Sequence, residues 1–157
     1  MFVGIDPGLK GALAFYDAVN DDLKVYDMPT HKVGKKTQVD VMGVIDHFCE
    51  TPDKPIDLIV IEEVHSMPKD GVVSAFTFGM NVGLLQGAIR SLHMDFTTIR
   101  PSVWKIHYSL NRDKNCSIQK AVDQFPQFGH FFKRACDHGR AEAALLALYA
   151  SDLFNLS

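Results

Sequence analysis

The sequence predicts an α/β fold in which a mixed five-stranded sheet is flanked by helices. Three early segments, residues 2–6, 11–18 and 23–29, are rich in β-branched and apolar residues and are separated by turn residues, as antiparallel strands are. After them, helical and strand-like patterns alternate to the end of the chain. A meander followed by such alternation implies a sheet with both antiparallel and parallel neighbours, covered by helices.

The later part of the chain supplies the remaining strands and the helices. Residues 57–63, DLIVIEE, form a short apolar run that is typical of a central strand buried on both faces. The last strand is expected at 96–100. Helices are expected over 37–50, with Thr37 as the N-cap, and over 72–94, 102–108, 117–125 and 139–154. The lysine-rich segment 31–36 is expected to be a polar loop.

Length and composition are those of an ordinary soluble domain. The 157 residues suit a single domain over 1–157, and 46% of them are hydrophobic. The three cysteines show no pairing pattern and the first residues lack a secretion signal, so we expect reduced thiols in the cytoplasm. The apolar run within 72–94 approaches membrane length, but Ser74, Asn81 and Gln86 interrupt it. We therefore expect a buried helix and no contact with a membrane.

Carboxylates end two predicted strands and open the last helix. Asp6 ends the first strand, Glu62 and Glu63 end the fourth, and Asp137, His138 and Glu142 lie at the start of the final helix. An Asp before Pro-Gly often only completes a turn, and an Asp before a helix often only caps it. The prediction of a functional site therefore rests on the three groups of acids together and not on any single acid. Clustered carboxylates repel one another, and a divalent cation removes that conflict. These hard oxygen donors favour Mg²⁺ or Mn²⁺ over zinc.

The charge pattern does not by itself indicate a nucleic-acid-binding protein. The net charge is −3, whereas such domains are usually basic. However, the net charge does not reveal a basic surface when the acids are concentrated in one metal site. The basic residues do cluster, at residues 31–36, 112–114 and 132–134. For any one cluster, a solvated surface is the simpler interpretation.

Three motifs resemble those of the RuvC-like Holliday-junction resolvases, in particular the compact phage-type members. They are VGIDPGLKGALAF, IVIEEVHSM and DHGRAEAALLALYA, and they follow in this order. The resemblance implies an RNase H-like (RuvC-type) fold and a site with two Mg²⁺ or Mn²⁺ ions. It implies Asp6, Glu62 and Glu142 as metal ligands, with one more ligand about a turn before Glu142. His138 lies on the same helical face as Glu142, whereas Asp137 offers the better chemistry for Mg²⁺, so both stay open.

The resemblance also implies residues that contact DNA. Lys105 and Lys114 correspond to lysines suited to the scissile phosphate, and Lys105 would be catalytic with the acids. If His138 is not a ligand, it would serve as a general acid or base. His65 stands where family members often have an aromatic residue that stacks at the junction. The expected DNA-binding residues are Lys35, Lys36, His65, Lys105, Arg112 and Lys114.

The implied activity is that of a structure-selective endodeoxyribonuclease. It would resolve Holliday junctions and other branched DNA by two-metal-ion hydrolysis in the cytoplasm of a bacterial or phage-infected cell. A homodimer is implied through the helix with Gly79, Gly83 and Gly87, although such a glycine ridge also suits packing within one chain. The alternatives are an RNase H-like nuclease acting on flaps, forks or RNA–DNA hybrids, and a junction-binding protein without catalysis.

Overall fold

The computed structural model describes residues 1–50, 54–65, 71–111 and 113–156. The strands in this part of the chain are β1 (Phe2–Asp6), β2 (Ala12–Asp17), β3 (Asp22–Asp27), β4 (Thr30–Val33), β5 (Lys36–Val39), β6 (Leu58–Glu62) and β7 (Thr97–Ile99). The α-helices are α1 (Val41–Cys49), α2 (Val72–Ser91), α3 (Pro101–His107), α4 (Lys114–Gln124) and α5 (His138–Asn155). Two 3₁₀ segments, Pro126–Phe132 and Ala135–Asp137, join the last two helices.

The main sheet has five strands in the order β3-β2-β1-β6-β7. The pairs β1–β2 and β2–β3 are antiparallel, whereas β1–β6 and β6–β7 are parallel. This mixed five-stranded sheet confirms the fold class predicted from the sequence. The strands β1 and β6 are parallel neighbours in the sheet, so their carboxyl ends lie at one edge of it.

The predicted polar loop at 31–36 is instead a β-hairpin formed by β4 and β5. Gly34 adopts a left-handed conformation, with φ of 61°, at its tip, where a residue without Cβ is favoured. The base of the hairpin is fixed to α2, because the amide of Val39 donates to the Oδ1 atom of Asn81 at 2.8 Å. Thr37 therefore lies in β5 and does not cap a helix; Asp40 occupies the N-cap position of α1.

The helix α4 begins at Lys114, three residues before the predicted start. The carboxylate of Asp113 accepts a hydrogen bond of 2.9 Å from the amide of Asn115 and so caps the helix. This cap extends the helix toward the site and places Lys114 in its first turn.

Alternation along the strands divides the core into two faces. Val3 and Ile5 of β1 pack with α1 and α2, whereas Phe2 packs with α5 on the other face. In β6, Ile59 and Ile61 face α1 and α2, and Val60 faces α5. Because successive side chains alternate, the final residues of both strands, which are acids, point to the α5 face.

The backbone of helix α5 lies directly against the backbone of β1. A Cβ atom added to Gly4 would lie 2.2 Å from both the carbonyl oxygen of Ala143 and the amide nitrogen of Ala147. No side chain fits there, so glycine in the strand and alanines in the helix set the separation between them.

The expectation that α2 is buried is wrong for the single chain. Only 22% of its most apolar 18-residue stretch is buried, and Val72, Val73 and Phe76 are exposed. A Cβ added to Gly79, Gly83 or Gly87 would meet nothing within 4 Å, so the glycines do not pack within the described part of the chain. By length and composition, α2 is also the one described helix that is long and apolar enough to cross a membrane.

Gly4→Ala tests the contact between β1 and α5. We expect the free energy of unfolding to fall by about 3 kcal/mol, because the new methyl group overpacks backbone that cannot move aside. Gly129→Ala is the matched control, since a Cβ at Gly129 meets open space. Urea denaturation measures both, and equal stability of the two variants would contradict the packing described here.

Candidate active site

Three acids from three different elements meet on the α5 face of the sheet. Asp6 ends β1 and Glu62 ends its parallel neighbour β6, one residue beyond the registered pair Ile5 and Ile61. Glu142 comes from the second turn of α5, and it and Glu62 are buried, with 8% and 9% exposed. The predicted grouping of these carboxylates at one edge of the sheet is thus present.

Each of the three carboxylates has one oxygen bound by a protein donor. The amide of Gly8 donates to Oδ1 of Asp6 at 3.1 Å, and the indole Nε1 of Trp104 donates to Oε1 of Glu62 at 3.1 Å. Oε1 of Glu142 accepts from the ammonium of Lys105 at 2.7 Å and from the hydroxyl of Ser117 at 3.2 Å. The second oxygen of each acid has no hydrogen-bond donor within the described residues. The side chains are therefore oriented, and one oxygen of each stays available.

The electrostatics of the cluster disfavour three negative charges. Burial raises the pKa of Glu62 from 4.5 to about 7, and the neighbouring Glu142 and Asp6 raise it further than the Trp104 hydrogen bond lowers it. Burial and the charge of Glu142 also raise the pKa of Asp6, against the hydrogen bond from Gly8 and the positive fields of His138 and Lys105. The three carboxylates thus carry more negative charge than Lys105 balances, and a bound cation would remove that excess.

His138 lies at this cluster, in the first turn of α5 and four residues before Glu142. Its Nε2 atom is 3.2 Å from the ammonium of Lys114. An ammonium group only donates, so this contact requires Nε2 of His138 as its acceptor. Both His138 and Glu142 act electrostatically on Asp6, since Glu142 raises the pKa of Asp6 and His138 lowers it.

The structure directs Asp137 away from the cluster. Its Oδ1 accepts from Nε and Nη2 of Arg134 at 3.0 and 2.7 Å, and its Oδ2 accepts from the Arg134 amide at 2.8 Å. Burial tends to raise the pKa of Asp137, but the bonds from Arg134 outweigh burial and hold it below its usual value. Arg140 lies between Asp137 and Asp27, on the β3 side of the sheet. Arg134 thus already balances the charge of the Asp137 carboxylate, and Asp137 as a metal ligand stays a prediction.

The donor set fits a hard divalent cation. Among the described residues, no three His, Cys, Asp or Glu side chains are already grouped closely enough to bind a metal ion. The ammonium of Lys105 supplies positive charge within the cluster through its ion pair with Glu142. Three carboxylates with free oxygens and one imidazole are ligands that Mg²⁺ and Mn²⁺ accept.

The expected DNA-binding residues lie on several surfaces around the cluster. Lys35 and Lys36 are exposed at the tip of the β4–β5 hairpin, and Lys114 opens α4. His65 follows β6, with its Nε2 atom 3.1 Å from Oε1 of Glu63. Arg112 lies outside the described residues.

Sequence reasoning missed two side chains that hold the acids in place. Trp104 is the single tryptophan of the chain and is fully buried on α3. Ser117 is buried on α4. The position of Trp104 directly before Lys105 could have indicated that Trp104 lies near the site, because a helix that places Lys105 at the acids also brings the adjacent residues close to them. Ser117 carried no comparable signal in the sequence.

No family model and no curated protein matches this sequence. The fold is similar to two solved structures, each 14% identical to this chain. One is T. thermophilus RuvC in complex with a Holliday junction substrate, with a TM-score of 0.67, covering 99% of this chain and 94% of that chain. The other is a Thermus thermophilus RuvC structure, with a TM-score of 0.54 and coverage of 97% and 95%. The chain thus has the RuvC-type, RNase H-like fold over nearly its whole length.

The raised pKa of Glu62 predicts how the stability of the metal-free protein depends on pH. The folded chain holds a proton that the unfolded chain releases near 4.5, so stability is lost as pH rises from that value through about 7. The full loss from Glu62 is roughly 3 kcal/mol. We expect Glu62→Gln to lose less stability than wild type between pH 5 and pH 8.

Thermal and urea unfolding at both pH values, in the presence of a chelator, measure this difference. Glu50→Gln is the control, because Glu50 is exposed at the end of α1. At pH 8, Mg²⁺ should raise the melting temperature of wild type more than that of Glu62→Gln. Identical pH profiles for wild type and Glu62→Gln would contradict the electrostatic description.

Proposed function

We propose that this chain is a metal-dependent endodeoxyribonuclease that resolves Holliday junctions and cuts other branched DNA. The observation that carries the proposal is the convergence of Asp6, Glu62 and Glu142 beside Lys105 on a RuvC-type fold. The structurally similar T. thermophilus RuvC was solved with a Holliday junction substrate, which supports the choice of DNA. The enzyme would act in the cytoplasm of a bacterial or phage-infected cell.

Asp6, Glu62, Glu142 and His138 would hold two Mg²⁺ or Mn²⁺ ions. When bound, such ions activate a water molecule as the nucleophile and stabilise the leaving oxygen of a phosphodiester. We choose His138 over Asp137 as the fourth ligand because His138 lies near Asp6 and Asp137 is neutralised by Arg134.

The side chains around the acids would orient and neutralise the reacting groups. Trp104 and Ser117 donate to Oε1 of Glu62 and Oε1 of Glu142, respectively, which leaves the second oxygen of each glutamate for the ions. Lys105 is within reach of the cluster through its bond to Glu142, and on DNA binding its ammonium would contact the scissile phosphate. Lys114 would place a second ammonium beside His138.

Binding of DNA would depend mainly on its phosphates and shape. Lys35 and Lys36 on the hairpin, with His65, Arg112 and Lys114, are the proposed contacts. The net charge of −3 is compatible with this role, because several of the acids are gathered in the metal site. Affinity should fall steeply with salt concentration, as counterion release requires.

We further propose that two copies pair through α2. The exposed glycine stripe lets another helix approach closely, and Phe76 beside it is also exposed. Two sites related by a twofold axis suit a four-way junction, which needs two symmetric cuts. Val39 binds Asn81 of α2, so the dimer would carry both basic hairpins at fixed positions.

Asp6→Asn tests the catalytic proposal. The amide keeps the size of the side chain but removes the negative charge, so we expect Mg²⁺-dependent cutting to fall by at least about a hundredfold while junction binding persists. Cleavage of a labelled four-way junction, with binding measured by gel shift, gives both quantities. Y-forks, flaps and RNA–DNA hybrids in the same assay identify the preferred substrate.

Asp137→Asn is the matched control, because it makes the same chemical change one residue before His138. It should lower stability through the lost Arg134 contacts yet retain cutting, whereas His138→Ala should weaken activation by Mn²⁺. Wild type that binds junctions but cuts no substrate with any divalent ion would leave the non-catalytic alternative standing.

Gly83→Gln tests the proposed dimer. The chain itself has room for the larger side chain, so the variant should fold but elute as a monomer in light-scattering chromatography. Gly129→Gln, at another open glycine, should remain dimeric like wild type. A monomeric wild type, or a dimer unaffected by Gly83→Gln, would contradict pairing through this stripe.

A further inference from the structure

The β4–β5 hairpin is exposed on both faces. All four residues of β4 are exposed, and in β5 only the last residue, Val39, is buried. The hairpin turns at Gly34-Lys35 with a positive φ at the first residue only, which is the pattern of a tight type II′ turn. A two-stranded ribbon has little stability in water unless another surface packs against it. The exposed part of this hairpin is therefore surface available to a partner outside the chain.

The exposed part of the hairpin is positively charged. Lys32, Lys35 and Lys36 are exposed, and none of them forms an ion pair with another described residue. The sequence contains no Asp or Glu between His31 and Val39 that could balance their charge. Three uncompensated ammonium groups on one short ribbon suit the phosphate backbone of a nucleic acid.

One apolar side chain interrupts this basic surface at the tip of the hairpin. Val33 is 48% exposed and is paired with Lys36 directly beside the turn. Its branched side chain is stiff, and residues 33–36 include no Arg, Asn or Gln to read the edges of bases. Apolar side chains flanked by basic ones can insert between base steps as wedges. The tip thus has the chemistry of a wedge and not that of a sequence reader.

The hairpin begins at the edge of the main sheet that carries the acids. The last residue of β3, Asp27, pairs with Ala12, and Ala12 pairs with Asp6. The hairpin follows β3 after two residues, so its first strand starts at this edge. A DNA strand at the acids therefore passes close to the base of the hairpin.

The other end of the hairpin is fixed to the helix proposed to form the dimer. Val39 binds Asn81, which is buried and lies about 200° around α2 from both Gly79 and Gly83. The base of the hairpin is thus one helix diameter, about 10 Å, from the proposed partner copy. The tip is three residues, roughly 10 Å, from the base. Both tips of the dimer are therefore within reach of its twofold axis, on which the branch point of a symmetric junction lies.

A wedge at this position discriminates between branched and linear DNA. In a linear duplex it must break the stacking of two base pairs in order to enter. At a branch point the stacking is already interrupted, so entry costs less free energy. The same apolar contact therefore contributes more net affinity at a branch than inside an arm.

We propose that the β4–β5 hairpin enters the branch point of the DNA, where Val33 packs against the base pair that ends an arm. Lys32, Lys35 and Lys36 bind the phosphates around it. The hairpin thereby selects branched over linear DNA. This assignment rests on the proposed function and deepens it, because it names the element that recognises the branch.

Val33→Ser tests the wedge, because it removes both methyl groups at an exposed position. Competition gel shifts in the presence of a chelator compare a four-way junction with a linear duplex of the same length. We expect the affinity for the junction to fall roughly tenfold and that for the duplex to stay unchanged. Val19→Ser is the matched control, since Val19 is 90% exposed in the turn between β2 and β3 and should leave both affinities unchanged.

Lys35→Ala and Lys36→Ala test the phosphate contacts. Each variant should weaken junction binding and lower the slope of log affinity against log salt concentration by about one. Lysines on an open strand edge also oppose pairing with other chains. If that were their only role, junction affinity and its salt slope would stay at the wild-type values, which would overturn the phosphate contacts.

A photo-reactive benzophenone side chain at position 33 locates the tip on the DNA. On irradiation of the junction complex, we expect cross-links to the nucleotides that flank the branch point. The same side chain at position 19 should give none. Cross-links from position 33 that lie only in the interior of the arms would overturn insertion at the branch.

The binding and cross-linking experiments require no cleavage, so their results are separable from a failure of the proposed nuclease. Equal effects of Val33→Ser on junction and duplex, or no effect on either, would overturn the hairpin assignment alone. Cross-links at the branch point by a chain that never cuts would support the hairpin assignment and overturn the nuclease. Wild type that binds linear duplex as tightly as junction would overturn both.

Discussion

The backbone contact between Gly4 and α5 is the constraint on which the site depends. With alanines facing a glycine, the helix lies directly on β1, and no side chain separates them. A second close approach occurs at Gly139, where an added Cβ would lie 2.6 Å from the carbonyl oxygen of Lys10 and 3.1 Å from Oδ2 of Asp6. Together these contacts fix the start of α5 above the end of β1. Glu142 and His138 are carried to Asp6 by helix position, not by long flexible side chains.

The second structural element of the site is α3, which connects acids from two other elements. Adjacent residues of this short helix contact Glu62 of β6 and Glu142 of α5. Its far end is tied to α5, because His107 and Tyr108 both bind Oδ2 of Asp152, at 3.0 and 2.8 Å. These contacts at both ends of α3 hold mutually repelling carboxylates together. The arrangement costs stability at neutral pH, and packing elsewhere in the fold offsets it.

Features that follow from the local pattern of apolar and polar residues could be predicted from the sequence. The strands and the acids at their ends were predictable, because burial on both faces leaves a continuous apolar run that a carboxylate interrupts visibly. The β4–β5 hairpin was missed because most of its side chains are exposed, so no apolar alternation marks it. The exposure of α2 was missed because composition shows that a helix is apolar but not whether its own chain or another chain covers it. The contact between Asp137 and Arg134, on which we base the proposed choice of His138, could not be predicted because it depends on the 3₁₀ turn before α5.

The hydrogen bond from Trp104 to Glu62 has an experimental consequence. Because the chain contains one tryptophan, all indole emission comes from a side chain in contact with a candidate metal ligand. The protein thus carries an intrinsic optical reporter of its own site, with no label and no background from other indoles. A paramagnetic ion such as Mn²⁺ would quench this emission on binding, and a phosphodiester displacing Lys105 would change its environment. Occupancy of the site is thereby observable separately from turnover, in any solution condition in which the chain stays folded.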